Sequence, residues 1–83
     1  MLAVASQDLA IVEAVGRGEL SLVQRDGRFG SFIAICDSAG TIEVCDNADE
    51  ARSRIRDLRE RALSAGDADL YNGCDAVLRR WAA

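Results

Sequence analysis

The spacing of apolar residues changes twice along the chain, from a helical period to an alternating one and back again. The first segment, Ser6 to Val15, suits a helix capped by Ser6, with an acid early and an apolar arc of Val4, Ile11, Val12 and Val15 that Gly16 and Gly18 bring to an end. Its β-branched content is high, so a strand over residues 2–5 competes with it.

From residue 19 to 45 the period shortens. The runs Glu-Leu-Ser-Leu-Val-Gln-Arg, Phe-Gly-Ser-Phe-Ile-Ala-Ile-Cys and Thr-Ile-Glu-Val-Cys are separated by Asp26-Gly27 and by Asp37 to Gly40. Glycines there supply the positive φ angles of tight connections, and β-branched and aromatic residues fill the stretches between, so a three-stranded antiparallel meander is predicted. In the last strand, alternation puts Ile42 and Val44 on one face and Thr41, Glu43 and Cys45 on the other. The middle strand is apolar on both faces, Phe32, Ala34 and Cys36 opposing Ile33 and Ile35, which calls for a helix or a partner over the second face.

The helical period then returns. Asp46-Asn47-Ala48-Asp49-Glu50 is a helix start with a capping residue and early acids, and helix 47–65 carries one narrow stripe of Ala48, Ala51, Ile55, Leu58, Ala62 and Ala65. Gly66 breaks it. Asp67 caps a last helix whose apolar face is Leu70, Tyr71, Cys74, Val77, Leu78 and Trp81, although Asn72-Gly73 costs about 1 kcal/mol there and suggests a start only at Cys74. The predicted class is α+β: a three-stranded antiparallel meander packed against helices in the order α-β-β-β-α-α, as one domain over residues 1–83.

Composition sharpens this picture more by what is missing than by what is present. All ten basic residues are arginine, and the chain has no lysine, histidine or proline. It therefore lacks the side chain best suited to proton transfer near neutral pH, the commonest imidazole metal ligand, and any Schiff-base or phosphate-loop lysine. The paired acids Asp46 with Asp49, and Asp67 with Asp69, stand at helix starts, where capping accounts for them. Cys36, Cys45 and Cys74 have neither Cys-x-x-Cys spacing nor an even count, so they read as buried small apolar residues rather than as a disulfide framework, nucleophile or zinc site. No catalytic residue, cofactor or metal is expected. The start Met-Leu-Ala-Val-Ala-Ser has no basic region and is soon broken by Gln7 and Asp8, so a cytoplasmic chain without a membrane span is expected.

Three features remain as candidate contact surfaces. On helix 47–65, Glu50 with Arg54 and Asp57 with Arg61 form i, i+4 pairs in the favourable order, whereas Arg52, Arg56 and Arg59 lie on a flank with only Asp49 and Glu60 near. At the first hairpin, Arg25, Arg28 and Phe29 surround a glycine-bearing tip. Trp81 lies close to the chain end, where an indole is hard to cover. Small size, a net charge of −4 and the missing catalytic groups favour a binding protein that regulates or inhibits a larger protein or protein–nucleic acid complex by contact; a phage- or mobile-element-encoded, anti-CRISPR-like inhibitor is one concrete form. The alternative is a DNA- or RNA-binding regulator using the arginines of helix 47–65 and of the hairpin. A homodimer would let so short a chain bury more apolar surface.

Overall fold

In the computed structural model, residues 6–82 are described, and they follow the expected order: α1 (Ser6–Arg17), β1 (Ser21–Gly27), β2 (Gly30–Asp37), β3 (Gly40–Cys45), α2 (Ala48–Ala65) and α3 (Ala68–Ala82). The competing strand at residues 2–5, and Val4 of the first apolar arc, lie outside the described residues. The strands form one antiparallel sheet in the order β1-β2-β3. Each hairpin turns on two residues followed by a glycine; at the first, Arg28 and Phe29 make the turn and Gly30 takes φ 124°, a value that side chains rarely tolerate.

The core cluster of the described residues lies on one face of that sheet. Ile35 and Cys45 join Ile11, Val15, Leu20, Ile55, Leu58, Cys74 and Val77 in the buried core, with Leu22, Ile33 and Ile42 packed at its margin. The narrow stripe of α2 explains the close approach: Ala51, Ile55, Leu58 and Ala62 are buried, while Ala48 is half-buried and Ala65 exposed at the two ends. Simple alternation in β3 is wrong. A bulge places Ile35 opposite Glu43 but Cys36 opposite Thr41, so Ile42 is the extra residue, and Glu43 and Cys45 face the helices while Val44 points away from them.

Capping residues fix both later helices. Asn47 Oδ1 accepts from the Glu50 amide at 2.8 Å, and Glu50 returns a carboxylate to the Asp46 amide at 2.9 Å. Asp67 Oδ1 accepts from the Leu70 amide at 3.0 Å, so α3 begins at Ala68 and not at Cys74. Gly73 is retained inside it for a packing reason: a Cβ there would stand 2.5 Å from Val15 Cγ1 and 3.2 Å from the Val15 carbonyl oxygen. The missing side chain lets α1 and α3 touch, and burial along that contact offsets the weak helix propensity of glycine.

Candidate functional site: a hairpin tip and the outer sheet face

The arginines of α2 are mostly occupied within the fold. Arg54 Nη2 donates to Asp8 Oδ1 at 2.8 Å and to Glu43 Oε2 at 3.0 Å, tying α1, β3 and α2 together. The Glu43 hydrogen bond and the nearby carboxylates raise the Arg54 pKa further, against the opposing effect of its partial burial. Arg61 reaches the same Asp8 at 3.7 Å. Neither expected i, i+4 pair forms: Glu50 is engaged as a helix cap, and Arg54 and Arg61 take carboxylates supplied by other elements.

On the other flank, Arg59 Nη1 donates to Asp75 of α3 at 2.9 Å, and its guanidinium lies 5.8 Å from the centre of the Tyr71 ring. Arg52 is half-covered and 3.5 Å from Asp49. Arg56 is exposed and makes no ion pair with the described residues. Trp81 is half-buried against the core. The structure thus separates the sequence candidates: Arg59 and Trp81 have internal contacts, whereas Arg25, Arg28, Phe29 and Arg56 face solvent.

The hairpin tip is the most exposed of these places. Phe29 is 97% exposed, the largest value among the exposed large apolar residues, and Arg28 beside it is exposed too. Arg25 and Arg28 have no ion-pair partner among the described residues, and the nearby Asp26 already accepts a hydrogen bond from the Ser31 hydroxyl at 2.9 Å. An aromatic ring in water on a hairpin with two uncommitted arginines has the composition of an interface hot spot.

Behind the tip lies the sheet face that the helices leave alone. Register sets its side chains in three rows: Ser21, Cys36 and Thr41; Val23, Ala34 and Val44; then Arg25 and Phe32, with Asp46 bordering Phe32 at the end of β3. Val44 is 57% exposed, while Ala34 and Cys36 are buried. The helices cover the opposite face, where Ile33 and Ile35 meet the core cluster.

The other surface hollows offer little chemistry. A depression of about 440 Å³ is lined by Asp8, Arg54, Asp57, Glu60 and Arg61, but Asp8 in it is already paired with both arginines. Among the described residues, no three His, Cys, Asp or Glu side chains converge as a metal-binding group, and no helix is long and apolar enough to cross a membrane. The three cysteines are unbridged and buried. Burial pushes the Cys74 thiol up to about 11, and burial together with Glu43 and Glu50 raises Cys45, so both stay protonated and weakly nucleophilic at neutral pH. Comparison with protein-family models, with curated proteins and with solved structures returns no match.

Proposed function

We propose that this chain is a non-enzymatic binding protein that regulates or inhibits a larger macromolecular assembly, and that it makes its contact through the β1–β2 hairpin. One observation carries the reading: Phe29, at 97% exposure, follows Arg28 in the hairpin turn, and Arg28 and the exposed Arg25 of β1 have no ion-pair partner among the described residues, on a chain of net charge −4. Leaving a phenyl ring in water forfeits roughly 2 kcal/mol of burial, which a binding surface recovers when the partner closes over it. The target fitting this tip is a protein recess with carboxylates at its rim. Small size and an acidic body support the narrower form, an inhibitor of a nucleic-acid-targeting complex encoded by a phage or mobile element.

The nucleic-acid alternative has less support. Arg54, Arg59 and Arg61 are already bound to carboxylates, and the remaining exposed arginines are spread over the hairpin and all three helices of an acidic molecule. Affinity capture with the intact chain and with Phe29→Ala, run beside a mobility-shift assay at low salt, separates the two readings. The expected result is a protein partner lost with Phe29→Ala and no shifted nucleic acid. A salt-sensitive nucleic-acid complex that survives Phe29→Ala would overturn the protein-contact reading.

A further inference from the structure

We infer that copies of this chain associate through two unlike patches: the Phe29 tip of one copy seats in an apolar hollow where α2 turns into α3 on another. The hollow has a volume of about 190 Å³ and is lined by Ala62, Leu63, Gly66, Ala68 and Tyr71, with Asp67 among them. An apolar cavity of about 150 Å³ takes up a benzene ring, so there is volume here for one phenyl group. Among the large apolar residues left exposed, Phe29 at 97% and Leu63 at 61% have the two highest values, and this contact covers both.

The two patches stand at opposite ends of α2. Asp46, which leads into α2, borders the same depression as Arg28 and Phe29, and the 18 residues of α2 then carry the chain roughly 27 Å away at about 1.5 Å per residue. A tip cannot reach the hollow of its own chain, so the pairing is between copies. Charge complementarity names the occupant. The last turn of α2 holds no basic residue, and the Ser64 and Ala65 carbonyls accept from no backbone amide among the described residues, so the negative end of the helix stands uncompensated beside the hollow. Asp67 uses Oδ1 to cap the Leu70 amide and keeps its second oxygen, and Asp69 in the first turn of α3 is exposed; neither enters an ion pair among the described residues. Arg59, which lies over the Tyr71 ring, is taken by Asp75 and does not supply the missing charge. The recess therefore suits an apolar group carried beside a cation, and Phe29 directly follows Arg28, which has no ion-pair partner among the described residues. A guanidinium donating to the helix-end carbonyls and to Asp67, with the neighbouring phenyl ring against Leu63, satisfies both halves. A polyanion is repelled by the same end of the molecule.

One aromatic anchor with one charge-assisted contact makes a reversible complex, with a dissociation constant on the order of 100 µM. Because the patches differ, the contact is heterologous, and a copy that lacks one patch still serves through the other. Self-association also hides Phe29 from the partner proposed above; that consequence alone rests on the tip being the surface that the partner meets.

Sedimentation equilibrium of the full chain from about 10 µM to about 1 mM spans that constant and needs no other ligand. The expected result is concentration-dependent association of the intact chain, weakened roughly tenfold or more by Phe29→Ala and by Leu63→Arg, each taken alone. Leu63 is exposed and a basic residue suits the last turn of a helix, so Leu63→Arg keeps the fold while repelling Arg28; circular dichroism of both variants checks this. Mixed together, the two variants should form a one-to-one complex with the affinity of the intact contact, because the hollow of the Phe29→Ala chain receives the tip of the Leu63→Arg chain. A monomer at every concentration, association indifferent to Leu63→Arg, or a mixture that stays monomeric would each overturn the proposal. Leu63→Arg leaves the tip intact, so capture of the protein partner by that variant reads the proposed function separately from self-association.

Discussion

The two faces of the sheet are built from similar residues and differ in how the charges at their borders are paired. On the helix face, Ile35 and Cys45 are buried in a core shared with all three helices, and the charges at its border are paired: Arg54 with Asp8 and Glu43, Arg59 with Asp75. On the outer face, Val44 is 57% exposed, and Arg25 and the neighbouring tip residue Arg28 have no carboxylate partner among the described residues. The difference teaches that arginine number is a poor guide to recognition in this molecule. Five arginines on one helix are mostly internal struts, whereas two on a hairpin are uncommitted.

The largest expected effect comes from the dryness of the helix face. A thiol folds in its neutral form, so Cys74, held near 11 in the folded chain against 9.0 when unfolded, contributes stability that is fully present below pH 9.0. As pH rises the unfolded chain loses its proton first, and up to about 2.7 kcal/mol disappears between the two values. Cys45, also raised, adds in the same sense. Urea unfolding at stepped alkaline pH should show this decline in the intact chain and a flatter one in Cys74→Ala; equal slopes would show that Cys74 is wet.

A smaller effect is expected at the α1–α3 contact. Replacing Gly73 by alanine removes a helix penalty of about 1 kcal/mol, yet the new methyl would sit 2.5 Å from Val15 Cγ1, and forcing the helices apart costs about 1–3 kcal/mol. Gly73→Ala should therefore lower the urea midpoint. A raised midpoint would mean that the core on the helix side yields more easily than its packing implies.

Much of the fold was legible because periodicity and capping are local. The order of elements, the stripe Ala51, Ile55, Leu58 and Ala62, and the caps at Asn47 and Asp67 all depend on residues within a turn or two of each other. The failures are long-range. No local pattern shows that Glu43 in β3 will draw Arg54 away from Glu50, because that choice depends on α1 bringing Asp8 to the same place. The reason for Gly73 lies 58 positions earlier in the chain, at Val15, and the bulge at Ile42 reversed the outward order of β3. The hairpin candidates Arg25, Arg28 and Phe29 were legible as exposed because turn chemistry is local, whereas the contacts of Arg59 with Asp75 and Tyr71 require the packing of two helices.

The division between structural and uncommitted arginines is tested most directly by a matched charge reversal. Arg54→Glu with Arg59→Glu is compared with Arg25→Glu with Arg28→Glu, each measured for urea midpoint and for capture of the protein partner. The first pair should lower stability by about 2 kcal/mol or more, since it leaves half-buried carboxylates facing new ones; the second should change stability by less than about 0.5 kcal/mol and abolish capture. A hairpin pair that unfolds the chain, or a helix pair that keeps its stability and alone loses the partner, would contradict the account.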